Sequence, residues 1–398
     1  VTQEKIDEAE EFWGQHLGLG LFNKADWEYI LHTYDGRLPL RIKAVPEGSV
    51  IPLKNALMTV ENTDDRLFWL TNWVETLLVQ AWYPTTIASN SRAIMEMLHK
   101  WANIDGTDPQ NLLFKVHDFG FRGVSCHEQA MIGGMAHLTQ FSGTDNTPGI
   151  LGASNYYDAE MCGFSIPASE HSTMTAWGGP EREYYAFKNM LDKFPTGVVA
   201  CVSDSYDIFK ACEKLWGDAL KDRILHREGT LVVRPDSGDP VETVLRVLLI
   251  LWKKFGGTTN DMGYKVLDPH IRMIQGDGID RSMINQILHA VNKAGFALEN
   301  LAFGSGGGLL QQFDRDTFKF AFKASARKSN DIWTDVYKDP VDMSSKRSKR
   351  GRFKVINEIT THTVDIHASG EDLLQEVYYN GALKIETTFD EIKKLAKV

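Results

Sequence analysis

The sequence predicts an α/β fold, an incomplete β/α barrel-like core with a second, smaller α+β domain built from the N- and C-terminal parts of the chain. Three observations predict it. From about residue 112 short apolar runs recur in series, each closed by polar or charged residues and most leading into helical sequence. On either side of that series the pattern changes to brief β-like runs punctuated by proline and glycine. The chain has 398 residues, 43% hydrophobic and 24% charged, which supplies a large core within an ordinary globular balance.

In chain order, Ile6, Phe12, Trp13, Leu17 and Leu21 recur at helical spacing among acids and amides. Between Leu38 and Val60, β-like runs broken by Pro39, Pro46, Gly48 and Pro52 predict a small sheet. Leu67 to Met97 reads as long, aromatic-rich helical material interrupted at Pro84. The regular series follows: Leu112–Val116 into HDFGFRG, Phe164–Ile166 into PASEH, Val198–Val202 into SDSYD, Leu231–Val233 into RPDSG, Ile271–Ile274 into QGDG, and Leu301–Phe303 into GSGGG. Such units are the mark of parallel strands with helical crossovers, and in a β/α barrel their polar tips converge on one face. A doubly wound open sheet also places ligands at strand C-termini, so both topologies stand and the location of the site is the same in each. After Arg327 come a basic stretch, the β-like THTVDI and VYYN segments and a helical FDEIKKLAKV, a tail expected to rejoin the N-terminal sheet. Residues 1–110 are thus read as mostly small domain and helical connection, 111–327 as catalytic core, and 328–398 as the returning segment.

A formal net charge of −10 argues against nucleic acid as the main partner, though not against a small phosphorylated substrate. No apolar run reaches the roughly 18 residues of a membrane span, and the acidic start VTQEKIDEAEEFW is unlike a signal peptide, so a cytoplasmic protein without a membrane partner is expected. Cys126, Cys162, Cys201 and Cys212 lack metal-site or scaffold spacing and read as free thiols. The chain begins at Val1, as a processed or truncated product would.

The strongest local signal is LAFGSGGGLLQQF. An apolar strand ends at Phe303, a turn through Gly304, Ser305, Gly306, Gly307 and Gly308 follows, and a helix is expected to start near Leu309. Backbone without Cβ atoms approaches a ligand closely, and free N–H groups at a helix start favour an anion. A tight structural turn is the plain alternative, but so many glycines are costly to order. The spacing is neither a dinucleotide fingerprint nor a Walker loop. Arg234 and Asp236 in RPDSGDP, Asp277 in QGDG and Asp204 in SDSYD suit ribose hydroxyls or a hydrated Mg²⁺, or are simple turn formers. His171 sits beside Glu170 at a strand-to-helix junction, where a carboxylate can orient an imidazole for nucleophilic attack; packing or capping is the bland reading. Phe119 or Phe121 suits stacking on a planar ring, or core packing, and Arg122 suits a carbonyl or phosphate. The run KRSKRGR, Lys346 to Arg352, reads as a solvated loop, a localisation-like patch or a polyphosphate contact.

Taken as an ordered set, HDFGFRGVS, FSGTD, PASEHSTMTAWG, VSDSYDI, RPDSGDP, IQGDG and AFGSGGGLLQ resemble the nicotinamide phosphoribosyltransferase family. The likeness extends through IKAVPEGSVIP, VENTDDRLFWLTNWVETLLVQAWYP and KRSKRGR and covers nearly the whole chain. The resemblance implies a homodimeric type II phosphoribosyltransferase that makes nicotinamide mononucleotide and pyrophosphate from nicotinamide and phosphoribosyl pyrophosphate. It implies Phe119 against the nicotinamide ring and Arg122 and Asp145 on its amide, Asp145 favouring amide over carboxylate. Arg234, Asp236, Gly276, Asp277, Ser305, Gly306 and Gly307 match the residues about the ribose and phosphates. Arg315 and Lys323 match residues supplied across the dimer interface, which makes each active site shared. His171 matches a histidine phosphorylated by ATP, with Glu170 and Asp204 as its carboxylates and Asp236 nearby; Mg²⁺ enters mainly through substrate phosphates, with Asp236 the one candidate protein ligand. The family's D-S-Y-K-like run has no counterpart before Val1, and a phosphate-contacting serine is replaced by Ala321. A nicotinate phosphoribosyltransferase and a non-catalytic binding protein of the same fold are the alternatives.

Overall fold

The computed structural model describes residues 1–339, 348–357 and 360–398. The chain divides into two compact units, Val1–Trp82 with Arg315–Leu395, and Tyr83–Asp314 with Ala396–Val398. The second unit therefore starts well before residue 111 and ends before 327. The reason is the helix Trp82–Asp105, whose Ile94, Met95, Leu98 and Ala102 share one buried core with the parallel strands. Pro84 does not interrupt this helix; it lies in the first turn, where a missing N–H costs nothing.

The first unit is built from both ends of the sequence. Its four-stranded antiparallel sheet runs in the order Ala382–Leu383, Gln375–Tyr379, Leu40–Ala44, Met58–Asn62, with Arg41 opposite Tyr379 on one side and Glu61 on the other. Ile30, Leu40, Leu67, Leu70 and Val74 form its buried centre. Two hairpins follow the same chemistry of alternation, Ala326–Ser329 with Ile332–Asp335 and Phe353–Asn357 with Thr361–Asp365. Of the basic run, Lys346 and Arg347 lie outside the described residues. Arg352 pairs with Glu61 at 3.0 Å and stands over the Trp333 ring at 4.3 Å.

The second unit holds a six-stranded, wholly parallel sheet: β1 (Val116–Asp118), β2 (Gly143–Thr144), β3 (Thr196–Val202), β4 (Glu228–Arg234), β5 (Ile271–Gln275) and β6 (Leu301–Ser305). The sheet order is β2-β1-β6-β5-β4-β3. Its two edges are joined by the segment around Phe164–Ala168, which bridges β2 through Phe164 and Gly143 and β3 through Ala168 and Ala200. Read around the ring, the staves follow the order of the sequence, which is barrel winding and not the reversal of a doubly wound sheet. The joining segment never becomes a regular strand, since Pro167 has no N–H to add to a ladder.

Two expected strands were misplaced. Leu112–Phe114 belongs to a 3₁₀ turn, Pro109–Phe114, and the strand begins only at Val116. Phe164–Ile166 makes only an isolated bridge, Phe164 to Gly143, and the two-residue stave β2 that it meets carries too little apolar sequence to have been expected. Outward-facing Val199, Cys201, Leu231, Val233, Met273, Leu301 and Phe303 are buried against the surrounding helices, with Phe187 stacked on Trp216 at 4.1 Å. Inward positions are small, Ala200, Val232 and Ala302 among them, and leave the lumen open.

Candidate active site

Every strand tip ends on the same rim. The lumen beneath it is an apolar cavity of about 280 Å³, bounded near the rim by Phe119, Asp145, Ser165 and Arg234 and at its far end by Lys115, Arg272 and Glu299. A second, polar cavity of about 340 Å³ is lined by Phe119, Arg122, the Gly276–Asp280 loop and the Gly306–Gly308 turn. Phe119 belongs to both, so a ring in the first cavity and a phosphorylated group in the second would meet at its face.

Phe119 holds its place because β6 carries no side chain beneath it. A Cβ on Gly304 would lie 1.9 Å from the Phe119 ring. Its amide donates to Ser305 O at 2.9 Å, and the Arg234 guanidinium stands 5.7 Å from the ring centroid. Arg234 Nε is buried without a hydrogen-bond partner among the described residues, while Nη2 donates to Asp236 Oδ2 at 2.9 Å. An orphaned guanidinium donor at a cavity wall is what an anionic or carbonyl ligand satisfies.

His171 opens a short helix, His171–Thr175. Its Nε2 lies 2.8 Å from Asp204 Oδ1 and its Nδ1 3.8 Å from Asp236 Oδ2. Asp204 is itself fixed, its Oδ2 accepting from the Asp236 amide at 3.0 Å and from Ser237 Oγ at 2.5 Å. With Nε2–H donating to Asp204, the Nδ1 lone pair is the one left for another partner. Glu170 does not join this network. Its carboxylate caps the helix in a reciprocal box with Thr173 and pairs with Arg122 at 3.8 Å, so of the two expected carboxylates only Asp204 is bonded to His171.

The acids at the strand tips sort cleanly into two kinds. Asp207, Asp239 and Asp280 are helix caps, accepting from main-chain amides of the turns that follow. Asp204, Asp236 and Asp277 are not, and stay with the site. Gly276 sits between Arg234, Asp236 and Phe119, where a Cβ would approach each within 3.0 to 3.5 Å. Gly278 has φ of +67°, a turn that favours glycine.

Two expectations at the glycine turn change. The helix begins at Gly307, not Leu309, and lasts one turn to Leu310, so the turn offers loop amides more than a helix end. Ser305 Oγ donates to Ile279 O at 2.6 Å and is buried, which makes it a brace between the β6 and β5 loops and not a ligand donor.

Asp145 follows β2, with Ser165 Oγ donating a very short hydrogen bond to Oδ1. Phe121 is partly exposed and packs edge-on with His127, away from the two-cavity junction held by Phe119. Arg315 and Lys323 belong to the other unit, where they pair with Asp316 and Glu75.

Sequence reasoning missed Ser165, Ser237 and the buried Asp118. The last two lay inside motifs already singled out, beside the more conspicuous Asp236 and Phe119; nothing marked Ser165. Burial pushes the Asp118 carboxyl up to about 6 and lowers the His117 imidazole. Behind Asp204, burial raises Glu183 to about 7, with Lys210 opposing and Asp207 and Asp204 adding to the rise. At the far end of the lumen burial lowers Lys115 to about 8.

A sequentially wound α/β barrel with an apolar lumen and a glycine-lined polar cavity on its C-terminal rim defines the class of protein. Residues 114–382 match the nicotinate phosphoribosyltransferase (NAPRTase) family, and residues 1–42 match the nicotinamide phosphoribosyltransferase N-terminal domain. The chain belongs to the nicotinate phosphoribosyltransferase (NAPRTase) family. A nicotinamide phosphoribosyltransferase of Xanthomonas campestris pv. campestris (strain 8004) is 44% identical over 409 residues, covering 99% of this chain and 86% of the relative. One from Acinetobacter baylyi (strain ATCC 33305 / BD413 / ADP1) is 35% identical over 395 residues, covering 92% of this chain and 78% of the relative. The fold is similar to nicotinate-nucleotide pyrophosphorylase from Pyrococcus furiosus, with a TM-score of 0.57 at 17% identity, covering 92% of this chain and 82% of that one.

Proposed function

We propose that this chain transfers the phosphoribosyl group of phosphoribosyl pyrophosphate to nicotinamide, giving nicotinamide mononucleotide and pyrophosphate in NAD synthesis. The observation that carries the reading is the junction at Phe119, where an apolar slot with a carboxylate on its wall meets a glycine-lined polar cradle. Nicotinamide would lie against Phe119 with its amide toward Asp145 and Arg122. Ser165 occupies one oxygen of Asp145 and leaves the other to accept from the amide, whereas a nicotinate carboxylate there meets like charge. The ring nitrogen attacks the anomeric carbon as the bond to pyrophosphate breaks, through a transition state with oxocarbenium character. The protein's part is to align the two partners and stabilise charge, through Arg234, the Gly276 and Gly306–Gly307 amides, and Arg315 and Lys323 of a second subunit in a homodimer. Asp236 and Asp277 suit a hydrated Mg²⁺ bound chiefly by the phosphates, and that cation, when bound, neutralises the leaving pyrophosphate.

ATP acts at His171 in this reading. Nδ1 attacks the γ-phosphorus and ADP departs, while Asp204 stabilises the imidazolium through Nε2–H; the phosphohistidine then favours the forward reaction until it is hydrolysed. Cytoplasmic NAD salvage is the setting that suits these substrates, and among the described residues no helix is long and apolar enough to cross a membrane.

Purified protein supplied with phosphoribosyl pyrophosphate, Mg²⁺ and each base in turn tests the transfer. Nicotinamide is expected to be preferred, and faster turnover of nicotinate overturns the assignment. His171→Ala should lose ATP hydrolysis, and its survival removes the phosphohistidine. Mixing the inactive variants Arg315→Ala and Asp236→Ala should restore activity if sites are shared between subunits.

A further inference from the structure

At the end of β1, Asp118 is fully buried and both its oxygens are occupied. Oδ1 accepts from the Gly120 amide at 2.7 Å, inside the turn that carries Phe119 and Arg122. Oδ2 accepts from Asn146 Nδ2 at 2.8 Å, in the residue that follows Asp145. The main-chain carbonyl of Asp118 accepts from the Asp145 amide at 3.0 Å. One residue therefore ties together the two loops that present the ring, the guanidinium and the carboxylate of the base slot.

Asn146 is committed to the same task. It too is fully buried, and its amide nitrogen divides its two hydrogens between Asp118 and Ala130 O, the latter at 2.9 Å in the helix His127–Leu138. Its Oδ1 has no hydrogen-bond partner among the described residues, so the amide keeps both donor bonds at the expense of its acceptor. A buried acid is a costly way to fill space. Its advantage over an apolar residue is geometric, because two oxygens on one rigid group accept from donors on two different loops.

We propose that Asp118, acting with Asn146, is the positioning residue that sets the spacing between Phe119 and Asp145 and thereby the recognition of the nicotinamide ring. This rests on the transferase reading above. Neither residue lines the base slot or the glycine cradle; of the two loops they join, that of Asp145 lines only the slot while the Phe119 turn borders both, so the clamp weighs more on the base than on the phosphoribosyl partner.

Asp118→Asn replaces one acceptor by an NH₂ that must face another N–H, and breaks at least one arm. The expected result is a KM for nicotinamide raised about 10-fold, with the KM for phosphoribosyl pyrophosphate within about 3-fold of the parent and the preference for nicotinamide over nicotinate reduced about 10-fold. Asn146→Ala cuts only the second arm and should raise the nicotinamide KM about 3-fold to 5-fold. It also decides the matter alone if Asp118→Asn does not fold. Equal weakening of both substrates, or an unchanged nicotinamide KM in a folded variant, overturns the proposal. Parent protein assayed alongside separates this failure from failure of the transferase reading, which would leave the parent itself without nicotinamide mononucleotide formation.

Discussion

Across Phe119 the rim changes material. On one side the lining is rich in glycine, in the Gly276–Gly278 loop and the Gly306–Gly308 turn. On the other it is a cluster of polar groups, Arg234 bonded to Asp236, and Asp204 accepting from His171, Ser237 and the Asp236 amide. The backbone half depends on what is absent, the Cβ atoms, and tolerates no volume where a loop is already in contact. The side-chain half depends on polar groups that hold one another, and loses function in steps as partners are removed.

The largest effect is expected where an added methyl meets main chain. A Cβ on Gly308 would lie 2.4 Å from Ile279 O, the carbonyl that also accepts from Ser305, so Gly308→Ala must shift the cradle. A displacement of that kind costs on the order of 100-fold, here read as kcat/KM for phosphoribosyl pyrophosphate. Gly306→Ala sharpens the contrast, because its nearest foreign atom would be Phe119 O at an ordinary 3.5 Å. If it is as damaging as Gly308→Ala, the glycine is there for the ligand and not for the protein.

On the side-chain half, Asp204→Ala removes the acceptor for His171 Nε2 and is expected to lower ATP hydrolysis by about 30-fold, the equivalent of about 2 kcal/mol for a hydrogen bond to a charged group. Steady-state ATPase rates check it, and a loss below about 3-fold would show that His171 is oriented by something else.

Acid tests the floor under both halves. His137 is fully buried, and burial lowers it to about 4; Nε2 lies 3.2 Å from Val116 O in β1 and Nδ1 3.0 Å from Ser91 Oγ. It stays neutral in the fold and takes a proton when unfolded below its ordinary pKa of 6.5. Stability from this residue is therefore complete above pH 6.5 and lost as pH falls toward 4, at about 1.4 kcal/mol per pH unit. Asp118 and Glu183, both raised, oppose it, since their contributions fall as pH rises through the same region. The difference between the parent and His137→Gln isolates it: urea melts from pH 4 to 6.5 should show the slope only in the parent. The smallest effect belongs to Ser237→Ala, which leaves Asp204 its amide donor from Asp236 and should cost ATP hydrolysis about 5-fold, near 1 kcal/mol.

The same division explains what could be read from the sequence. The glycine half is visible in composition, because GSGGG and QGDG have few other uses at a strand tip. The side-chain half was visible only as candidates. His171 stood out, but its neighbours alone offered only Glu170; Asp204, on another stave, was named through the family resemblance and is the carboxylate it meets. Four of the expected strand runs fall within β3 to β6, since each is an apolar run flanked by clear breaks. Leu112–Val116 failed because a run that short does not distinguish a strand from a 3₁₀ turn followed by one. Ser165 and Asn146 carried no signal, as their roles come from residues brought beside them by barrel closure.

That closure has a mechanical consequence. Between β3 and β4 the ladder is regular from Thr196 with Glu228 to Val202 with Arg234. At the seam it reduces to isolated bridges, Phe164 bonded to Ser142 and Thr144, and Ala200 bonded to Pro167 and Ser169. A ring with one thin joint yields there first under thermal load, and amide exchange should be fastest along Phe164–Ala168 among the staves. Ser165, which braces Asp145, and Glu170 and His171, where the proposed ATP chemistry begins, are strung on or just beyond that joint. Substrate on either side would tighten it, so under the proposed reading base transfer and ATP use share one compliant seam.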